Sequence, residues 1–322
     1  IPMGGIVLAF KDYSIRKGIL ASPWVGFEHF ENFLSSPLFG TLLSNTLILS
    51  IYTFIVNFIV PIFLALFINE LAQPIFKKAV QMITFFPYLI SVVVISGMIL
   101  QFVNNIIRLF GGTPVDFMAK PEYFRHIYVW TDVWQRAGYS AVIYIAALAG
   151  IDPQLSESAI LDGVTRLKRI RYIDLPTVAP TVTIMLLMGI GGIMSIGYEK
   201  TYLLQNNLNM SVSELISTYI YKRGLLNFEF SYSTAIGLFN SVMGRRKKTM
   251  AHHADNQVVE PQVTSRWYRS VSDRIYMAFI YVMLVLAMLL VLVPFIFILA
   301  SSFSSAEAIS AGKVLFWPVG FN

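Results

Sequence analysis

The sequence predicts an all-α, polytopic transmembrane helix bundle, and three observations carry that expectation. Of the 322 residues, 56% are apolar or aromatic and only 13% are charged, about half the charged share of a soluble domain. The apolar residues lie in long blocks. Lys and Arg residues stand between those blocks, so the net charge of +6 is accounted for by orientation in a membrane, and no nucleic acid partner is expected. With no cysteine, disulfides, thiolate chemistry and cysteine zinc sites are excluded.

A helix crossing the hydrocarbon core needs about 20 mainly apolar residues. Leu42–Ile68, Ala79–Val103, Thr177–Tyr198 and Tyr276–Ser302 meet that length without a charge. His126–Gly150 is a fifth expected span, apolar after its first turns, with Asp132 and Arg136 spaced for an i,i+4 pair. Ile1–Phe10 resembles the tail of a span and Ser231–Val242 the start of one; neither is long enough to cross alone. The chain opens inside an apolar stretch and shows no signal peptide, so its natural N-terminus is expected to be missing. Placing Lys77 and Lys78, the run Arg166, Lys168, Arg169 and Arg171, and the run Arg245, Arg246, Lys247 and Lys248 in the cytoplasm makes the crossings alternate. Residues 11–41, 104–125 and 199–230 then face outward. Tyr128, Trp130, Trp134 and Trp317 fit interface belts.

Inside the expected spans, Pro61, Pro87 and Pro294 predict kinks. Asn45, Asn57 and Gln81 fit either interhelical hydrogen bonds or a polar path. Gly189, Gly191, Gly192 and Gly197 fit close helix packing or a hinge.

The segment 151–176 is the most informative. Asp152 is a suitable N-cap and Pro153 a suitable first helical residue. Glu157 is expected early in the helix, where the dipole favours an acid. Leu155, Ser158, Ala159 and Asp162 recur at helical spacing and predict a narrow face able to enter a groove on another protein. Gly163 permits a turn, a basic stretch follows, and Leu175-Pro176 precedes the next span. An ordinary amphipathic loop is the other reading of these residues.

The segment also resembles the EAA motif of ABC importer permeases: Glu-Ala-Ala, three residues, Gly, nine residues, Ile, one residue, Leu-Pro. Glu157-Ser158-Ala159, Gly163, Ile173 and Leu175-Pro176 keep every spacing, with Ser158 in place of the usual Ala. Residues 1–242 are similar to permeases of the LplB type, in the carbohydrate-uptake branch that contains MalF. The stretches Trp24-Val25-Gly26-Phe27-Glu28-His29-Phe30, Gly150-Ile151-Asp152-Pro153-Gln154-Leu155 and Ser233-Thr234-Ala235-Ile236-Gly237-Leu238-Phe239 carry that similarity. The resemblance implies an incomplete ABC type-1 importer permease fold in a bacterial plasma membrane. It implies a cytoplasmic coupling helix, with Glu157, Ser158, Ala159, Asp162, Gly163, Ile173, Leu175 and Pro176 in the loop that meets an ABC ATPase subunit. It also implies a second permease subunit, an extracellular solute-binding protein and a carbohydrate substrate.

After Val242 the resemblance changes. Met243-Gly244-Arg245-Arg246-Lys247-Lys248 looks like a start, and 276–322 resembles the beginning of a partner permease of the YtcP type. The expected division is therefore 1–242, a truncated permease domain; 243–275, a basic cytoplasmic linker; and 276–322, the first span and outer loop of a second permease. To cross a membrane, Ser231–Val242 would have to borrow residues back to about Leu225, burying Glu229 at a cost of several kcal/mol.

Asn57, Tyr88, Tyr144 and Tyr198 are candidates for the solute path, because aromatic faces and amides suit sugars. No phosphate-binding loop is present, since Gly312-Lys313 is followed by Val314. The chain is therefore expected to bind no cofactor and to leave ATP to a separate subunit. Rival readings are import of a peptide or polyamine, a non-transporting membrane fragment or fusion, and a membrane enzyme. The last needs clustered ionisable residues; His29 and His126 stand alone and His252 and His253 lie in the linker.

Overall fold

A computed structural model describes residues 2–109, 111–113, 115–193, 196–244 and 271–320. The described residues are helical apart from connections and one isolated bridge, Lys11–Trp24. A 3-10 helix, Pro2–Phe10, and two short helices lead into α1, Phe39–Asn69. Then come α2, Pro74–Phe85; a 3-10 turn, Phe86–Leu89; α3, Val92–Leu109; α4, Pro121–Ala149; and α5, Pro153–Leu161. A helical turn, Arg166–Arg169, and a π segment, Ile170–Asp174, run into α6, Leu175–Gly191. Short helices and a second π segment, Lys222–Leu226, precede α7, Phe230–Gly244, and α8 is Val271–Ser302. Prolines open α2, α4 and α5, where the first-turn N–H has no helical partner to lose.

Among the described residues, Phe39–Asn69, Arg166–Gly191 and Asp273–Ser302 are long and apolar enough to cross a membrane. α1 alone, at 31 residues, extends about 46 Å. The expected straight span Ala79–Val103 is instead broken: α2 and α3 meet at 94°, and they count as a fourth span only if taken together. Pro87 sits in the 3-10 turn at the break, where it has no N–H for a helical bond, and the backbone becomes extended at Ile90. The exposed polar backbone there is satisfied locally. Gln135 Nε2 of α4 donates to the Ile90 carbonyl at 2.9 Å, and Ser91 Oγ accepts from the Val93 N–H at 3.3 Å. Irregular backbone at membrane depth requires such partners.

Three other expectations change. The span expected at Thr177–Tyr198 ends at Gly191, and Gly197 caps a separate helix, Tyr198–Leu204. At its other end it extends back through the basic stretch to Arg166. α4 covers the span expected at His126–Gly150 and is long enough at 29 residues, but its Glu122, Arg125, Asp132 and Arg136 keep it outside the apolar set. α7 does not borrow residues from Leu225. Phe228 takes a φ of 60°, which ends the preceding helix, and Glu229 stays partly exposed, paired with Arg223 at 2.9 Å. Arg245–Lys248 and His252–His253 lie outside the described residues.

Residues 2–54, 116–129 and 188–244 form one compact unit, and 55–115, 130–187 and 271–320 a second. In the first, Phe33, Leu42, Ile216, Tyr219 and Ile236 make the core, and the 3-10 helix Pro2–Phe10 packs on α7. Asn45 organises its polar part, donating to the Ser211 carbonyl at 2.8 Å and accepting from Arg125 at 2.9 Å. Gly189 lies where a Cβ would strike the Phe54 ring, a packing use of that glycine. In the second, Ala65, Leu66, Ala141, Tyr144, Leu148 and Val178 join α1, α4 and α6. Gly138 of α4 rests on the Thr84 backbone of α2, with no room for a Cβ.

α8 packs on α2 and α3 in the second unit, stacking Tyr281 on Phe76 with centroids 5.3 Å apart. Pro294 cannot donate to the Leu290 carbonyl, and Trp134 Nε1 does so instead at 3.0 Å. Trp134 thus satisfies the carbonyl that the proline leaves without its helical donor; Tyr128 is buried, whereas Trp130 and Trp317 are exposed.

Candidate functional site

The local rules that start and stop α5 are visible in its backbone. The Asp152 side chain accepts from the Gln154 N–H at 2.9 Å, and Pro153 occupies the first turn. At the other end Gly163 adopts φ +67°. Its N–H donates to the Ile160 carbonyl and that of Val164 to the Ala159 carbonyl, both at 3.0 Å. This is a Schellman stop, and the left-handed residue explains the glycine in the motif. The helix is nine residues long.

Its outward face differs from the expected one. Ala159 is buried, 6% exposed, and anchors the helix to its own chain. Leu155, Ser158 and Asp162 are exposed as expected, joined by Gln154, Glu157 and Leu161. Leu161 is 88% and Leu155 52% exposed, so the surface offered is partly apolar. Glu157 lies at mid-helix rather than in the first turn, so the dipole gives it little support.

Beyond Gly163, Ile173 is half-buried in the π segment, and Leu175 and Pro176, both exposed, open α6. Pro176 has no N–H for a helical bond to Tyr172, and the backbone widens into the π segment just before it.

The basic stretch is divided by its surroundings. Lys168 and Arg171 are exposed. Arg166 and Arg169 turn inward to Glu70, the residue directly after α1, whose side chain is wholly buried. Arg166 Nη1 lies 2.8 Å from Glu70 Oε2, Arg169 pairs with Glu70 Oε1, and Arg169 also lies 3.4 Å from Asp174. Two acids and two bases compensate one another there. Glu70 and Asp174 were not among the residues singled out from sequence; the available signal was Glu70 as the first charge after the uncharged length of α1.

The four path candidates occupy separate surroundings. Asn57 Nδ2 donates to Asp132 Oδ2 at 3.1 Å, and Asp132 pairs with Arg136 at 3.4 Å, so this amide binds α1 to α4. Tyr88, 41% exposed, lies in the break between α2 and α3 and stacks on Tyr139 with centroids 4.1 Å apart. Tyr144 is 3% exposed inside the second unit's core, where its ring serves packing. Tyr198 belongs to the first unit, at the start of a short helix beyond α6, and stacks on Tyr221 at 4.6 Å.

No family model matches the chain. Among curated proteins, it is 41% identical over 251 residues to the polygalacturonan/rhamnogalacturonan transport system permease protein YteP of Bacillus subtilis, covering 76% of this chain and 78% of that one. Protein LplB of the same organism is 36% identical, with 76% and 79% covered. Among solved structures, a chain of a bacterial ABC transporter involved in the import of the acidic polysaccharide alginate superposes with a TM-score of 0.69 at 38% identity, covering 76% and 84%. A second structure of the alginate transporter, in complex with alginate pentasaccharide-bound periplasmic protein, gives 0.68 at 37% identity, covering 76% and 83%. Shared sequence over most of both chains, together with a shared helical fold, identifies this chain as an integral membrane protein that belongs to the LplB-like family of ABC transporter permeases.

Proposed function

We propose that the chain is a permease subunit through which a binding-protein-dependent ABC transporter imports an oligosaccharide. It does no ATP chemistry itself; α5 faces the cytoplasm and receives the motion of a separate ATPase. The observation that carries this reading is α5: a short capped helix, stopped by a left-handed Gly163, held at Ala159 and presenting Leu155, Glu157, Ser158, Leu161 and Asp162 outward. Exposed leucines interspersed with polar side chains suit a protein-binding surface. The saccharide substrate is supported by the relatives, named for polygalacturonan, rhamnogalacturonan and alginate.

In this scheme closure of two ATPases pushes α5. The movement passes into α6 through the continuous helical segment Arg166–Gly191. A second permease completes the path, and a soluble binding protein delivers the sugar from outside, as supported by the relative whose structure contains a periplasmic protein. The exposed Tyr88–Tyr139 stack suits a sugar face better than the buried Tyr144. The three-part division at 242 and 275 is retained as part of the proposal.

The test is capture of the ATPase by the detergent-solubilised permease. Glu157→Lys and Gly163→Val should each abolish capture while the chain remains monodisperse. Undiminished capture by both variants, or labelling of an introduced Gln154→Cys from the outer side of intact cells, would overturn the reading.

A further inference from the structure

The buried ion cluster uses none of the fixed positions of the motif and has no role in the scheme above. Glu70 directly follows α1, while Arg166 and Arg169 form the turn beyond Gly163 that leads into α6. Its carboxylate has 0% side-chain exposure, and the two guanidinium-bearing side chains 12% and 10%. Asp174, with a side chain 3% exposed, closes the cluster on the π segment that enters α6. Apolar packing could have joined these three elements without desolvating four charges. A buried, mutually compensated set has few alternative arrangements, because shifting one member strands the others.

We propose that Glu70 is a positioning residue that makes the cytoplasmic end of α1 and the start of α6 move as one body when the ATPase pushes α5. The inference rests on the coupling role proposed for α5. Without the cluster, the turn Arg166–Arg169 that leads into α6 would swing relative to α1, because the π segment is a place where backbone geometry yields. The push would then be absorbed in the loop. The pairing Arg166–Glu70–Arg169 thus makes the basic stretch a latch as well as an orientation signal.

The chain has no cysteine, so paired spin labels can be placed without background. One label goes at Lys168, exposed on the turn Arg166–Arg169 that leads into α6, and the other at Phe63, 54% exposed on α1. The assembled transporter is measured by pulsed electron resonance without nucleotide and with a non-hydrolysable ATP analogue. The parent should keep one narrow distance in both states. Glu70→Gln should show a nucleotide-dependent shift of about 2 Å or more, the scale of helix movements at subunit interfaces. Glu70→Asp should recover the parent's behaviour in part.

Because Glu70→Gln strands two buried guanidinium groups and can fail to fold, a second variant, Glu70→Leu with Arg166→Met, Arg169→Met and Asp174→Asn, removes the charges together. It should fold, keep the ATPase bound, and still show the shift. A single unchanged distance in both states of this variant would overturn the proposal. Loss of the ATPase from the parent itself would instead refute the coupling role of α5, so the two failures are distinguishable.

Discussion

Leu161 offers the most quantitative test of the outward face of α5. Its side chain is 88% exposed, an arrangement that stabilises nothing within the chain. If a partner covers it, Leu161→Ala removes three carbons from a contact worth about 0.8 kcal/mol per carbon. Scaled by the exposed share, the loss is about 2 kcal/mol, or about thirtyfold in dissociation constant. The same reasoning for Leu155, 52% exposed, gives about 1.2 kcal/mol, near eightfold. Affinity for the ATPase can be measured by titrating the labelled subunit against the permease pair in nanodiscs. Ile75 is the control, because it is 85% exposed in the first turn of α2 and lies outside α5. Ile75→Ala should change affinity by less than about threefold, under 0.7 kcal/mol. A Leu161→Ala variant within that same limit, or an Ile75→Ala variant as weak as Leu161→Ala was expected to be, would refute the assignment of this face. Thermal stability should be unchanged in all three variants, since the removed carbons contact solvent.

Three further predictions concern stability in detergent, followed by thermal unfolding. Gly138→Ala should destabilise the chain by about 1–3 kcal/mol, because the new methyl meets the Thr84 backbone rather than a movable side chain. Gly97→Ala in α3, where nothing lies within 4 Å of the added carbon, should be neutral or stabilising. Asn45→Ala should cost about 1–3 kcal/mol by orphaning the Ser211 carbonyl and removing the acceptor for Arg125, and a destabilisation below about 0.5 kcal/mol would contradict that network.

The helix α5 was legible because its signals are short-range. An Asp-Pro start and a glycine stop act over a few residues, and α5 forms between them at Pro153–Leu161. Its outward face was only partly legible. Spacing groups Ala159 with Leu155, Ser158 and Asp162, but which arc of a nine-residue helix is covered depends on what packs beneath it. The path candidates fared similarly. Composition marks Asn57 and Tyr144 as polar or aromatic within apolar runs, and only contacts reveal that one binds Asp132 while the other fills a core.

Sequence alone determined the membrane class, the main apolar helices, the capped helix α5 and the family, because hydrophobic length, terminal capping and motif spacing are properties of neighbouring residues. Tertiary structure decided the rest. It set the 94° break at Pro87, supported by Gln135 from another helix. It drew Arg166 and Arg169 away from water to Glu70, 96 and 99 residues earlier. A charge reads as a loop signal until its partner is known, and burial makes that partner obligatory. The pairing is set by how helices distant in sequence come together, which no local pattern encodes.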